Sequence, residues 1–272
     1  MNVALGGKLS EFRVESHRIR SVRKLQSPSV NDNHPQHAAA RAILPTLLHE
    51  SSDWFVLNKP VGWHSVAARV TDGAPTIQEW ISENLASQRD LPESGLVHRL
   101  DHSTSGCLLV ARSALAQDGL RENFSAGFGG WAIGKKYLAL VTGGIAPTGE
   151  FTLYFSSRHK GSAKVTVNEV GDRNEVGTCR WRVRRARDRR ADAADPGAFD
   201  LIEVELVGPG RRHQIRAGLA SLGHPLASDT LYRGAELRAE WNLSFAVLHA
   251  WKLVISGVEV ISPSPRWADW ER

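Results

Sequence analysis

Residues 95–106, GLVHRLDHSTSG, place Arg99 and Asp101 at the end of a short apolar run. In extended backbone the two side chains project from the same side of the chain, because alternate residues share a face. A guanidinium beside a carboxylate favours the ionised carboxylate, which is the form that a nucleophile or a general base requires. A structural ion pair has the same composition, so this stretch alone leaves both interpretations open.

A second cluster of arginine, histidine and aspartate lies in residues 208–229, GPGRRHQIRAGLASLGHPLASD. Its glycines allow close approach of backbone, and the pattern from His213 to Gly223 predicts a helix with Arg216 in its first turns. An arginine fork near a helix N-terminus can bind an anion. A solvated basic helix face is the alternative interpretation.

The remaining pattern predicts short strands with a few helices between them. Apolar spacing predicts further helices over residues 76–85 and 113–124, the second with Leu115, Leu120 and Phe124 on its inner side. Alternation of apolar and polar residues predicts strands in 47–59, 107–112, 135–144, 151–157, 163–170, 178–185, 201–207 and 245–255. This order indicates the α+β class, with a mixed, largely antiparallel sheet and flanking helices. Arg99 and Asp101 then lie on a loop between packed elements.

Composition limits the class of protein further. The 272 residues are 42% hydrophobic, enough to fill a sizeable core. A net charge of +5 favours a polyanionic partner. The two cysteines show no metal-ligand spacing, no apolar stretch is long enough for a membrane span, and the N-terminal residues lack the order of a signal peptide. We therefore expect a cytoplasmic protein without a membrane segment or a metal.

Four stretches of the sequence resemble segments of one family, and they occur in the same order along the chain as in that family. HRLDHSTSG resembles the HRLDxxTSG motif of the RluA-type pseudouridine synthases, and GRRHQIR with LGHPLASDTLY resembles their GRTHQIR and GHPIxGDxxY segments. KKYLALVTG resembles the KxYxALVxG strand, and NKPVG resembles NKPxG. The resemblance implies the pseudouridine synthase fold in residues 43–272. In residues 1–42 basic residues outnumber acidic ones and apolar residues are sparse, which predicts a basic and flexible N-terminal extension.

The family resemblance also implies a reaction, the isomerisation of chosen uridines in ribosomal or transfer RNA to pseudouridine. The target nucleotide is flipped out of its helix, and no cofactor or metal is required. By the same resemblance Asp101 is the catalytic aspartate, and the predicted substrate-binding residues are Arg99, Tyr137, Arg216, His213 and Gln214. Arg99 would hold the flipped nucleotide, Tyr137 would pack on its base, and Arg216 would pair with the catalytic carboxylate.

An arginine-rich strand and its following loop form a candidate RNA-binding patch. The patch comprises Arg180, Arg182, Arg184, Arg185 and Arg187. These arginines could contact RNA phosphates, or they could be a charged strand edge that resists aggregation, and the sequence leaves both interpretations open. The sequence also departs from the family pattern, with Arg212 where the family has Thr or Lys and Ser228 where it has Gly.

Other functions compete with the one that the resemblance implies. An RNA-binding protein or RNA chaperone on the same fold, without activity, would have the same charge. A glycosidase would need a second carboxylate near Asp101, for which Asp229 and Glu93 are candidates that the sequence does not place nearby. We expect a monomer.

Overall fold

The computed structural model describes residues 43–67, 73–126, 132–157, 159, 162–239 and 245–268. The N-terminal extension predicted for residues 1–42 lies outside them. The described residues belong to one compact unit.

In the part of the chain that the structure describes, ten strands form one sheet. They are β1 Thr46–Glu50, β2 Trp54–Lys59, β3 Thr104–Ala111, β4 Ile133–Val141, β5 Thr148–Ser156, β6 Thr166–Asn168, β7 Val176–Arg185, β8 Asp200–Val207, β9 Leu248–Ile255 and β10 Val258–Ile261. The order is β1-β2-β3-β9-β4-β8-β7-β5-β6, with β10 also paired to β9. Among these pairs only β3 and β9 run parallel. The predicted class, an α+β fold with a mixed and largely antiparallel sheet, is confirmed.

Among the described residues, three α-helices flank this sheet: α1 Ile77–Asn84, α2 Ala114–Ala126 and α3 Gln214–Ser221. Thr76 caps α1, since its hydroxyl accepts from the Glu79 amide at 3.0 Å and bonds the Glu79 carboxylate at 2.9 Å. The prediction for α2 is wrong at Leu115, which is 86% exposed. Leu115 and Leu120 are five residues apart, and five residues turn the helix well past one full turn, so the two point in different directions.

Alternation along the strands divides the core between the two faces of the sheet. On β2, Phe55 and Leu57 join the cluster under α1 and α3, while Trp54 and Val56 join the cluster under α2. We call the first side the site face, because Tyr137 of β4 lies in its cluster. Helices thus cover both faces of the sheet, and the side chains that could do chemistry lie on the site face.

The strand that follows the HRLD stretch begins earlier than the sequence predicts, at Thr104 instead of Cys107. Thr104, Ser105 and Gly106 pair with β9 in parallel, a long-range contact that local alternation does not reveal. The backbone at Gly106 has φ 107°, and a Cβ there would lie 2.2 Å from the carbonyl oxygen of Ala250. Only glycine fits where β3 meets β9.

We expect Gly106→Ala to destabilise the fold by about 3 kcal/mol, because it combines backbone strain with a main-chain clash. Gly223 is the matched control, since it has φ 86° but a Cβ added there would meet no atom within 4 Å. Gly223→Ala should cost about 1 kcal/mol. Urea unfolding of both variants checks the difference, and equal costs would mean that the approach of β9 does not constrain residue 106.

Candidate active site

The loop that carries Asp101 is held in place by the segment after β2. The Ser65 hydroxyl donates to the Leu100 carbonyl and accepts from the Leu100 amide, both at 2.9 Å. The Gly62 amide donates to the His102 carbonyl at 3.0 Å, and the Thr104 amide donates to the Asp101 carbonyl at 3.0 Å. The NKPVGWHS stretch therefore clamps the backbone on both sides of Asp101.

Arg216 of α3 joins two carboxylates. Its Nη1 lies 3.2 Å from Oδ2 of Asp101, and its Nε and Nη2 form a fork to Asp229 at 2.7 and 2.9 Å. The Asp229 side chain is 1% exposed and that of Asp101 is 27% exposed. Asp229 thus fixes the guanidinium, while Asp101 keeps a face toward the cavity.

The predicted pairing of Arg216 with Asp101 is present in this geometry, but the pairing considered for Arg99 is not. Asp101 bonds a residue that lies 115 positions away in the sequence. Arg99 is exposed and lines the cavity next to Asp101. Its position at the rim leaves its guanidinium available to a ligand phosphate.

Tyr137 projects from the centre of the sheet into the same cavity. The residue is 8% exposed, and burial followed by the charge of Asp101 raises the pKa of its phenol well above the usual range. The phenol therefore stays protonated near neutral pH. Tyr137 offers a flat ring and a hydroxyl donor in the cavity that the Asp101 carboxylate also lines.

The cavity around Asp101 measures about 780 Å³, with an adjoining recess of about 70 Å³. Its lining holds more cations than anions, since Asp101 and Asp229 face five basic side chains: Arg99, Lys135, Arg211, Arg212 and Arg216. A cavity of this size and sign fits a nucleotide with its phosphate at the rim.

The two remaining predicted binding residues have different surroundings. His213 begins α3 with φ 54°, and its Nε2 lies 3.8 Å from Asp101 while its Nδ1 bonds the Tyr232 hydroxyl at 3.0 Å. Gln214 is 2% exposed, and its amide group bonds the Arg211 amide at 2.7 Å and the Thr178 carbonyl at 3.0 Å. His213 therefore faces the site, whereas Gln214 mainly fastens α3 to β7.

The four patch arginines that belong to β7 lie on the other face of the sheet, and Arg187 follows this strand. Trp181 of β7 pairs with Val204, which pairs with Tyr137, so these three side chains share the site face. The alternate residues of β7 point away, where Arg180 bonds Glu150 while Arg182 and Arg184 converge on Glu203.

Glu203 is the anchor of that converging group. Burial alone would raise the pKa of the Glu203 carboxyl, but hydrogen bonds from Arg182, Lys136 and Arg184 outweigh it and hold the pKa below its usual range. Arg185 bonds the Pro196 carbonyl at 3.4 Å, and the Arg187 guanidinium lies against Gly144. Contact of this patch with RNA stays a prediction, and its charge is partly neutralised within the protein.

Sequence reasoning misses two residues of the site. In the sequence Asp229 is only a candidate second carboxylate. Nothing local links it to Arg216, thirteen positions earlier. Lys59 has no role predicted from the sequence, although it lies within NKPVG. It is fully buried at the end of β2, and its Nζ donates to the Pro60 carbonyl at 2.9 Å.

Lys59 gives the fold a pH dependence. Burial lowers the pKa of its ammonium to about 7, against the opposing effect of the Asp101 charge. The unfolded chain therefore binds more protons than the folded one between pH 7 and about 10.4, so the free energy of unfolding should rise with pH across that window. We expect urea unfolding of Lys59→Met to show a smaller rise, because the contribution of Lys135, whose pKa burial lowers to about 8, remains. Parallel pH curves for the variant and the original chain would contradict the burial of a titrating lysine.

Neither a metal centre nor a membrane helix is evident in the part of the chain that the structure describes. No group of three or more histidine, cysteine, aspartate or glutamate side chains there is arranged to hold a metal ion. No helix there is long and apolar enough to cross a membrane. Cys107 and Cys179 are both free and buried.

Comparison with known proteins identifies the family. Residues 53–221 match the family model described as RNA pseudouridylate synthase. The chain is 33% identical over 201 residues to the "Ribosomal large subunit pseudouridine synthase D" of Xanthomonas campestris pv. campestris, a match that covers 73% of this chain and 55% of that protein. The chain therefore belongs to the RNA pseudouridylate synthase family, and within it to the RluA type.

Other relatives give the same result. The "Dual-specificity RNA pseudouridine synthase RluA" of Escherichia coli K12 is 27% identical over 221 residues, which cover 77% of this chain and 86% of that one. The solved structure of "Human RNA Pseudouridylate Synthase Domain Containing 4" has a TM-score of 0.59 at 20% identity, covering 86% of this chain and 94% of that one. The chain aligns with roughly half to two thirds of the length of the first curated relatives, with 55%, 52% and 64% covered. The pseudouridine synthase fold is thus shown.

Proposed function

We propose that this protein is an RNA pseudouridine synthase that isomerises specific uridines in ribosomal or transfer RNA. One observation carries the proposal: Asp101 is held by Arg216 beside the protonated phenol of Tyr137, in a cation-rich cavity of about 780 Å³. Family membership supports the same reaction.

The proposed reaction is balanced as an isomerisation. The bond between N1 of uracil and C1′ of ribose breaks, the base turns in the cavity, and C5 bonds C1′. The hydrogen on C5 leaves as a proton, and N1 gains one. The Asp101 carboxylate either attacks the substrate as a nucleophile or removes a proton from it. No oxidant, reductant or cofactor enters this balance.

The geometry supports one reacting carboxylate instead of the two that most glycosidases use. Both oxygens of Asp229 bond Arg216, and the side chain is 1% exposed. Glu93 lies on the surface, where it bonds Arg121 at 2.7 Å. Neither group is available to activate a water molecule beside Asp101, which argues against the glycosidase alternative.

The target uridine must leave its stack to reach Asp101, because the reacting atoms are covered inside a duplex. Extrusion costs a few kcal/mol and requires groups that hold the displaced nucleotide. We assign the phosphate side to Arg99 at the exposed rim and the base side to the ring of Tyr137. The tyrosine ring supplies stacking that tolerates rotation of the base.

The experiment for the proposed function uses cellular RNA. Purified protein is incubated with RNA from cells that lack it, and pseudouridines are mapped by carbodiimide modification. We expect new sites in ribosomal or transfer RNA, and large-subunit ribosomal RNA is the first place to look because several relatives are named for it. An RNA chaperone on this fold would bind the RNA and add no site, which would overturn the proposal.

For the arginine patch we keep the prediction that it contacts RNA beyond the target nucleotide. Replacing Arg184, Arg185 and Arg187 with glutamine should make the slope of log Kobs for RNA binding against log salt concentration less steep. The slope should fall by about 0.7 for each single-strand phosphate that these side chains neutralise. Fluorescence anisotropy at several salt concentrations measures this slope. An unaltered slope would mean that these arginines do not contact RNA.

We also propose that the protein works as a monomer in the cytoplasm, where ribosomal and transfer RNA are matured. The net charge of +5 supports a polyanionic partner. Light scattering after gel filtration tests the monomer, and a dimer at working concentration would contradict it.

A further inference from the structure

A second cavity, of about 680 Å³, lies between β6 and α3. Its floor is apolar, with Val165 and Ala217 buried beneath it. Its rim carries the exposed cations Lys164 and Arg233, and no aspartate or glutamate is among the described residues that line it. An apolar floor under a cationic rim matches a base attached to a phosphate.

Tyr232 forms one wall of this cavity and contacts two residues of the site around Asp101, His213 and Arg216. Its hydroxyl bonds His213 Nδ1 and accepts from the Val165 amide, each at 3.0 Å. The centroid of its ring lies 5.5 Å from Cζ of Arg216, which lines the Asp101 cavity, and 5.3 Å from Nζ of Lys164, which lines the second cavity. A ligand that touches this ring is therefore one side chain away from the groups that hold Asp101.

Arg212 fastens the segment that carries Lys164 to the start of α3. Its Nη2 donates to the Ser162 carbonyl at 2.6 Å and to the Ser157 hydroxyl at 3.3 Å, and the same residue lines the Asp101 cavity. Arg212 stands where the family pattern has a shorter Thr or a Lys. In this chain Arg212 therefore connects the rim of the second cavity to the site around Asp101.

We propose that the second cavity binds a nucleotide close to the target uridine in the same RNA strand. Lys164 and Arg233 contact its phosphate, and its base lies on the apolar floor against Tyr232. Sequence-specific recognition of RNA commonly uses bases that are splayed out of single-stranded loops and stacked on side chains. The inference rests on the proposed function, because a target held at Asp101 would bring its neighbours to this wall. The cavity would then help to select which uridine reacts.

The first test removes the charge of the rim. The double variant carries Lys164→Ala and Arg233→Asn. Asparagine replaces Arg233 because it tolerates the positive φ of 66° at that position. Fluorescein-labelled octauridylate is titrated at several salt concentrations. We expect about tenfold weaker binding and a salt slope smaller by about 1.4, which corresponds to two phosphate contacts with a single strand.

The exposed Arg89 supplies the control, because it lies outside both cavities. Arg89→Ala should leave affinity and slope close to those of the original chain. Binding by the double variant as tight as by this control would overturn the proposal, as would failure of the original chain to bind octauridylate.

The second test fills the cavity and keeps every charge. Ser221 is exposed at the end of α3 and lines the cavity. Ser221→Trp should weaken binding of octauridylate severalfold without changing the salt slope, because it excludes a base and leaves the phosphate contacts in place. Unchanged affinity with an unchanged melting temperature would contradict a base in this cavity.

The two proposals fail in different ways. If carbodiimide mapping finds no pseudouridine while octauridylate binding still depends on Lys164, Arg233 and Ser221, the enzymatic function is wrong, and the cavity stands as a nucleotide-binding site without a role in selecting a uridine. If pseudouridine forms and these variants select the same uridines at the same rates as the Arg89→Ala control, the cavity is wrong and the enzymatic function stands.

Discussion

Asp101→Asn should lower pseudouridine formation by about 10³-fold or more, the scale of losing a nucleophile or general base. Asparagine has nearly the same shape and keeps an oxygen that can accept from Arg216 Nη1, which lies 3.2 Å from the carboxylate in the native site. It lacks the charge and the second reactive oxygen. RNA affinity should stay within a few-fold, since the rim cations are untouched.

Asp118 provides a matched control on the exposed side of α2. Asp118→Asn makes the same chemical change and should leave turnover, affinity and melting temperature unaltered. Single-turnover measurement on the same RNA separates the effect on chemistry from the effect on binding. Turnover of Asp101→Asn comparable to that of the control would refute the role assigned to Asp101.

Arg216→Ala should cost both activity and stability. Removing the guanidinium leaves Asp229 buried at 1% exposure without the fork that compensates its charge. Breaking a buried pair from one side typically costs about 3–5 kcal/mol, so we expect the free energy of unfolding to fall by that amount. Turnover should fall as well, because Asp101 loses the group that orients it.

A double variant separates these two effects. Arg216→Met combined with Asp229→Asn removes both members of the buried pair, and most of the lost stability should return. Turnover should remain as low as in Arg216→Ala, since Asp101 still lacks its partner. If turnover recovered together with stability, Arg216 would act only in folding. If Arg216→Ala kept the native melting temperature, the pair with Asp229 would not form in solution.

The sequence predicts those features of the fold that depend on local pattern. Alternation along β2 separates Trp54 and Val56 from Phe55 and Leu57, and the two pairs indeed lie on opposite faces. The pattern also predicts that Gly223 ends α3, and the helix ends two residues before it, with φ 86° at the glycine. Each of these predictions needs only a few neighbouring residues.

Features that depend on pairing between distant strands could not be predicted in this way. β9 lies between β3 and β4, although it is the ninth strand in the chain. That order brings Gly106 against Ala250 and sets the early start of β3. The cationic strand β7 shows its alternation in the sequence, but only the register with β8 and β4 puts its arginines on the face away from Tyr137.

The same distinction between local pattern and long-range contact applies to the candidate site. The family resemblance points to Asp101, Arg99, Tyr137 and Arg216, because their motifs are contiguous stretches of sequence. The fork from Arg216 to Asp229 joins a helix to a later loop, and nothing local predicts that contact. The residue types of Arg99 and Asp101 leave a local ion pair between them open, whereas the structure gives Asp101 a distant partner, Arg216.

Release of tritium from RNA labelled at C5 of uridine tests the central claim most directly, because joining C5 to C1′ expels the hydrogen at that position. RNA prepared from cells lacking the protein is labelled in this way and incubated with the purified chain. We expect tritium to appear in water with the original chain and not with Asp101→Asn, and no free uracil with either. Absence of tritium release from any cellular RNA, or release of free uracil in its place, would contradict the assignment of this site to pseudouridine formation.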